Sequence, residues 1–283
     1  MSHYWRTTRF ELDLSAPKVM GIVNVTPDSF SDGGCFASTK AAVEHAQKLA
    51  RDGADILDIG AESTRPGSPA VPLEEELKRL LPVLEEVLKL GVAVSVDTYK
   101  PETMRAVLDL GVDIINDVWG ARMPGAVDVL AGHPSCGICV MHMHGEPQTM
   151  QLSPMEGRAL PCVKTFLKKQ ADALRAAGVA QERIVLDYGI GFGKTVAQNF
   201  ELLAKQGELL ELGYPLLSAW SRKKSLGVVA GREVDERLAA SVAVAVLALE
   251  RGAGIVRVHD VKETVDALKI QQAVYKNGCS QAI

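Results

Sequence analysis

A single (β/α)8 TIM-type barrel, of the α/β class, is the fold this sequence predicts, and three observations predict it. Apolar runs of strand length recur eight times between Val19 and His259. Segments with helical spacing of apolar residues separate them. Nearly every run ends on a polar side chain just before a loop, as strands do where a parallel sheet meets solvent. A doubly wound open sheet is the runner-up. Neither a low-complexity tract nor a linker marks a second domain, so residues 1–18 read as an extension of the same domain that spans 19–283.

The elements follow in order. Phe10, Leu12 and Leu14 alternate with other residues and predict a small strand or hairpin before the barrel. From Val19 to Val25 the chain is nearly all apolar until Asn24, as expected of a strand covered on both faces. Lys40–Asp52 sets Ala42, Val43, Ala46, Leu49 and Ala50 at helical spacing, and Gly53 supplies a stop. Ile56–Glu62 is the second strand, followed by a turn-rich loop, Ser63–Pro69. A helix is expected from Pro72 to Leu90, with proline near its start and Gly91 just past its end. Further strands are expected at Val92–Thr98, Ile114–Val118, Ile138–Met143, Ile184–Tyr188, Leu216–Ser221 and Ile255–His259. Helices are expected from Pro101 and over Pro124–Leu130, Arg158–Ala177, Ala197–Leu212, Asp235–Arg251 and Val261–Tyr275.

Composition excludes several classes of protein. Apolar residues make up 47% of the 283, enough for a large core, while the net charge of −4 offers no basic patch for nucleic acid. No run approaches the roughly eighteen apolar residues that span a bilayer, and the first residues lack an apolar signal core, so no membrane partner is expected and the default location is the cytoplasm. Five cysteines at irregular spacing fit a reducing compartment rather than a disulfide framework.

Loops at the carboxyl ends of the strands build the active site of such a barrel, so the polar residues there are the candidates. They are Asn24, Asp58 with Glu62, Asp97, Asn116, Asp187, Ser221 with Lys223, and Arg257 with His259. Alternation puts Arg257 and His259 on the face of Ile255, and Asp97 on the face of Ser95 and Ala93. Mutual salt bridging explains any one of these groups taken singly. A polar ligand better explains their recurrence on strand after strand. An aspartate accepts two parallel hydrogen bonds from an aminopyrimidine edge, so carboxylates and an amide deep in a cavity suit a flat nitrogen heterocycle. Arg257 suits a ring face or an anion. Asn24, Arg257 and His259, on strands that become neighbours at barrel closure, form a candidate oxyanion or diphosphate site that admits Mg²⁺ through one side-chain ligand, phosphate oxygens and waters.

Two signals look sharper than they are. The run Tyr188–Thr195 ends in G-K-T between a strand and a helix, yet a phosphate loop needs glycine where Tyr188 stands. Cys136 and Cys139, with His142 and His144, resemble a zinc or redox site. Strand alternation, however, places Met141 and Met143 with Cys139 and both histidines on the other face. Buried, inert thiols are therefore expected. The loops Thr26–Ser38 and Ser63–Val71 exceed what a barrel needs for a connection and read as lids, with Phe30 and Arg65 as the side chains that reach a substrate.

The ordered motifs resemble those of the dihydropteroate synthases. They are N-V-T-P-D-S-F-S-D-G-G at 24–34, E-S-T-R-P-G at 62–67, D-T-Y-K at 97–100, I-N-D-V at 115–118, M-H-M at 141–143, D-Y-G-I-G-F-G-K at 187–194, S-R-K at 221–223 and R-V-H-D at 257–260. The resemblance implies a transferase of folate biosynthesis that joins 6-hydroxymethyl-7,8-dihydropterin diphosphate to 4-aminobenzoate, giving 7,8-dihydropteroate and diphosphate. It implies that Asp97, Asn116, Asp187, Lys223 and Arg257 hold the pterin, with Met141 and Phe192 lining its pocket. Asp97, Lys223 and Arg257 would carry catalysis. Asn24 would ligate Mg²⁺, and Arg257 and His259 would bind the diphosphate. Phe30, Thr64, Arg65, Pro66, Phe192 and Ser221 would enclose 4-aminobenzoate, in the pocket that sulfonamides occupy. A homodimer is implied as well, through the last helices. Tyr188, Ala219, Lys224 and His144 depart from the family pattern without removing a named contact. The alternatives are a pterin-dependent methyltransferase and a catalytically silent pterin-binding homologue.

Overall fold

The computed structural model describes residues 4–25, 34–63, 69–145, 150 and 154–278. Strands β3 (Lys18–Asn24), β4 (Ile56–Gly60), β5 (Ala93–Asp97), β6 (Ile114–Asp117), β7 (Gly137–Met141), β8 (Ile184–Asp187), β9 (Leu216–Ser218) and β10 (Ile255–Val258) pair in parallel and close into a barrel, β10 lying between β9 and β3. Ahead of them β1 (Tyr4–Arg6) and β2 (Glu11–Asp13) form the expected antiparallel hairpin.

Helices α1 (Gly34–Arg51), α2 (Leu73–Val87), α3 (Pro101–Asp109), α4 (Ala126–Gly132), α5 (Ala159–Ala176), α6 (Val196–Lys205), α7 (Lys224–Ala230), α8 (Leu238–Glu250) and α9 (Val261–Gly278) follow the strands. Local chemistry sets their ends. Thr195 Oγ1 accepts from the Gln198 amide at 3.2 Å while Gln198 Oε1 accepts from the Thr195 amide at 2.9 Å, so the threonine of the G-K-T run is the N-cap of α6. Gly91, at φ 73°, closes the turn after α2 in a conformation that favours glycine.

Several boundaries differ from expectation, the largest at α1, which begins at Gly34, inside the segment read as the loop Thr26–Ser38, rather than at Lys40. Strand β9 stops at Ser218, because Ala219–Lys223 turns away into α7, a short helix that the sequence pattern hid. The helix expected at Asp235 begins at Leu238, after a 3-10 turn over Val234–Glu236. Residues Gln206–Leu212 tighten into 3-10 geometry rather than prolonging α6. Strand β7 ends at Met141, two residues before Met143.

Strand alternation sorts the side chains into two cores. Val19, Leu57, Val94, Ile115, Val140 and Leu186 point outward onto the helices. Met20, Ile56, Ala93, Ile114, Val185, Leu217 and Ile255 point inward and fill the lower barrel. The hairpin seals this inner core from below: Trp5 is 0% exposed, packs against the inward residues and donates from Nε1 to the Arg183 carbonyl at 2.9 Å. We predict that Trp5→Ala destabilises the protein by about 3–5 kcal/mol. Denaturant midpoints will show the loss, and kcat will be nearly unchanged, since the plug lies at the end opposite the rim.

Candidate functional site

Above the apolar floor the next inward layer is polar. Two residues beyond Ile56, Ala93 and Ile255 on their strands come Asp58, Ser95 and Arg257, with Asp97 one further step along β5. Arg257 Nε donates to Asp58 Oδ2 at 2.6 Å, and Nη2 donates to Asp97 Oδ2 at 2.9 Å. Asn116 Nδ2 donates to the same Asp58 oxygen at 3.1 Å. One guanidinium thus links β10 to β4 and β5, and Asp58 extends the link to β6. Asp58 Oδ1 and Ser95 Oγ, both buried, have no hydrogen-bond partner among the described residues.

Electrostatics follow from two carboxylates sharing one arginine out of water. Burial pushes the Asp97 carboxyl up to about 7, against the downward pull of Arg257. Burial lowers the Arg257 pKa, but Asp58 and Asp97 outweigh it and leave the guanidinium more firmly charged than usual. Burial also raises Asp187, whose Oδ1 accepts from the Gly189 amide at 2.7 Å. Lys223 is pushed down to about 8 by burial and by Arg257, with Asp187 and Asp97 acting the other way. Its Nζ sits 4.3 Å from the centroid of the Phe192 ring.

The apolar wall comes from β7 and the loop after β8: Met141, Met143 and Phe192 cluster with Val118 and Met150. Backbone carbonyls hold the Phe192 loop. Lys194, buried, donates to the carbonyls of Gly189 at 2.6 Å, Phe192 at 3.1 Å and His142 at 3.3 Å. A Cβ at Gly189 would meet the His142 carbonyl oxygen, so no other residue fits that turn. The glycines of the false phosphate loop serve this close approach.

Asp97, Asn116, Asp187, Lys223, Arg257, Met141 and Phe192 therefore meet at one end of the barrel. Ser221 and His259 join them: Ser221 Oγ lies 3.0 Å from His259 Nδ1 and accepts from the His259 amide at 3.2 Å. Burial, and then Arg257 and Arg222, push the His259 imidazole down to about 3. Asn24 ends β3 with its side chain exposed. Phe30, Thr64, Arg65 and Pro66 lie outside the described residues. Glu62 stands apart from the set. It accepts from Lys100 Nζ at 2.5 Å and Tyr99 Oη at 3.0 Å, so simple salt bridging accounts for it. Cys136 and Cys139 point to different places: Cys136 Sγ accepts from Arg183 at 3.1 Å, Cys139 packs inside the barrel, and His142 faces Phe166. Burial raises both thiols, as inert cysteines require.

Asp58 and Lys194 are the members whose place the sequence reading underrated. A lone aspartate on the inward face of Ile56–Gly60 was the signal for the first. For Lys194 the pattern held no clue, because its acceptors are all main-chain.

Fold and site together define a pterin-binding barrel enzyme: a family model described as pterin binding enzyme matches residues 20–259. The dihydropteroate synthase of Neisseria meningitidis serogroup B is 48% identical over 278 residues, covering 96% of this chain and 98% of the relative. Among solved structures, the Xanthomonas albilineans dihydropteroate synthase with 4-aminobenzoic acid superposes with a TM-score of 0.91 at 47% identity, all of both chains covered. The Burkholderia cenocepacia dihydropteroate synthase complexed with 7,8-dihydropteroate gives a TM-score of 0.89 at 48% identity over 98% of each chain. The chain belongs to the dihydropteroate synthase family.

The shared arginine yields a stability prediction with a definite sign. Arg257→Leu strands two buried carboxylates, a defect of about 3–5 kcal/mol. Without the guanidinium, the Asp97 pKa, already raised, climbs further. A group with a raised folded pKa favours the fold below its unfolded value and loses that contribution as pH rises. The deficit of the variant against the parent, from denaturant midpoints, will therefore be largest at about pH 8 and smaller at about pH 5.5.

Proposed function

We propose that this site joins 6-hydroxymethyl-7,8-dihydropterin diphosphate to 4-aminobenzoate by departure of diphosphate and attack of the arylamine. The observation that carries the reading is the convergence of Asp97, Asn116, Asp187, Lys223 and Arg257 in one partly buried layer above a methionine and phenylalanine wall. Among the alternatives, the methyltransferase reading finds no support in the relatives, which are named synthases over nearly the whole chain.

In this reading Asp97, Asn116 and Asp187 face the N–H and carbonyl groups of the pterin, Lys223 supplies a cation beside them, and Met141 and Phe192 pack on the ring. The bond from the pterin methylene to the diphosphate oxygen breaks and its electron pair leaves with the diphosphate. Arg257 and His259 receive that charge, His259 as a neutral hydrogen-bonding ring at physiological pH. The ionised Asp97 faces the methylene cation. The arylamine lone pair then closes the C–N bond, and the amine proton goes to solvent. Phe30, Thr64, Arg65, Pro66, Ser221 and Phe192 orient the 4-aminobenzoate, which needs positioning more than deprotonation.

The donor set fits Mg²⁺ held by a single protein ligand. Asn24 is exposed at the end of β3, the strand beside β10, and the described residues contain no cluster of three His, Cys, Asp or Glu that would hold an ion unaided. When bound there with diphosphate oxygens and waters, the ion offsets charge on the leaving group. A homodimer formed through the last helices is also part of this reading. On α8 Leu249 is core and Val242 and Val246 are half-buried, while Leu247 and, on α9, Ile270 and Val274 are exposed and available to a second copy.

Diphosphate release in the presence of both substrates tests the proposal. Release will need both substrates and Mg²⁺, and Asp97→Ala and Lys223→Ala will each lower kcat/KM by about 10²-fold or more. Cys139→Ala will leave it nearly unchanged. Multiple-turnover release that does not depend on 4-aminobenzoate or on Mg²⁺, or full activity of Asp97→Ala, would defeat it. The free enzyme will also show a bell-shaped kcat/KM profile for the pterin substrate. It rises as Asp97 ionises near 7 and falls as Lys223 loses its proton near 8.

A further inference from the structure

Between Ser221 and Lys223 the backbone does something costly. Arg222 has φ 58°, the left-handed conformation, one of two non-glycine residues at positive φ among the described residues. Such a residue costs on the order of 1 kcal/mol and persists only where its surroundings over-determine it, a condition that recurs at functional sites.

Here the surroundings do so from every side. The Arg222 guanidinium meets the Asp260 carboxylate with both arms, Nη2 to Oδ1 at 2.5 Å and Nε to Oδ2 at 3.2 Å. Its amide donates to Ser241 Oγ at 3.0 Å, and its carbonyl accepts from Arg237 Nη1 at 3.0 Å. Arg237 in turn donates from Nε to the Arg232 carbonyl at 3.1 Å and packs over Gly227 of α7, where a Cβ would collide with its guanidinium. Ser241 Oγ donates to the Arg237 carbonyl at 2.7 Å. Two consecutive residues of the turn after β9 are thereby fastened to two consecutive residues after β10: Ser221 to His259, and Arg222 to Asp260. Lys223 leaves this clamp with its amide bonded to the Trp220 carbonyl at 3.1 Å and serves as the N-cap of α7.

We propose that Arg222 is a positioning residue. Its strained backbone, locked by Asp260 and by Arg237 and Ser241 at the start of α8, aims Lys223 at Asp187 and the Phe192 ring. The surface ion pair has little stabilising work to do, since Arg222 and Asp260 side chains are 42% and 14% exposed and such pairs contribute little. What the clamp supplies is direction: a relaxed backbone at residue 222 would swing the Lys223 side chain off the layer it shares with Arg257. The inference rests on the assignment of Lys223 to the pterin site.

Arg222→Gly separates geometry from stability, because glycine adopts the left-handed turn without strain and keeps the main-chain bonds to Ser241 and Arg237 while losing the Asp260 arm of the lock. The expected result is a melting temperature close to that of the parent, with kcat/KM for the pterin diphosphate and affinity for 6-hydroxymethylpterin both reduced about tenfold. Asp260→Asn, which keeps the strained residue but weakens its lock, will show a smaller loss of both. Melting temperature and activity falling together, or both variants retaining kcat/KM within about twofold of the parent, would overturn the proposal. Lys223→Ala is measured alongside. If it alone keeps full activity, the assignment of Lys223 fails and this proposal with it. If it loses activity while Arg222→Gly does not, only the positioning role fails.

Discussion

The structure depends on one largely enclosed cation, 17% exposed. Arg257 has a carboxylate on each side, Asp58 through Nε and Asp97 through Nη2, and Asn116 extends the chain by donating to Asp58. Four strands that are distant in sequence converge on this contact. A buried pair of this kind is weak evidence for stability, since a packed apolar layer would serve as well or better. Its value is in leaving a pocket floor with fixed donors and acceptors, and with a carboxyl whose pKa sits near neutrality.

Everything above that layer is a problem of aiming. The barrel offers only the last residue or two of each strand, so the remaining side chains reach the pocket from turns that need their own anchors. Lys194 holds the turn carrying Phe192 by spreading its three donors over main-chain carbonyls, and burial pushes its ammonium down to about 7. Asp117 does the same for the turn after β6, accepting from the Trp119 and Ala121 amides at 2.8 Å each. Tyr188, buried on the outward face, points away from the polar layer. Its hydroxyl donates to Gln206 Oε1 at 2.6 Å and pairs with Ser218 Oγ, joining β8 and β9 to the helical layer. That residue therefore braces the barrel and makes no contact with the polar layer through its hydroxyl.

Much of this was legible in the chain. Unbroken apolar runs ending on Asn, Asp or Arg exposed both the parallel barrel and the inward polar tips, because burial on two faces leaves no other place for a charge. The pairing partners were less visible. Asp58 and Glu62 looked alike as carboxylates near one strand end, yet the first turns into the barrel and the second turns out to Lys100 and Tyr99. A difference of strand face beyond Gly60, where the pleat ends, decides that. Helix α7 was missed because Lys224–Ala230 is too short to show a period. The positive φ of Arg222 had no signature at all, since nothing but tertiary contacts imposes it on an arginine.

A crystal structure of the protein with 7,8-dihydropteroate tests the central claim most directly. The account predicts the aminopyrimidine edge of the pterin against Asp97, Asn116 and Asp187, its ring between Phe192 and the Arg257 side, and the Arg257–Asp58 contact unbroken. A pterin bound elsewhere, or an Arg257 that abandons Asp58 to reach it, would contradict the account.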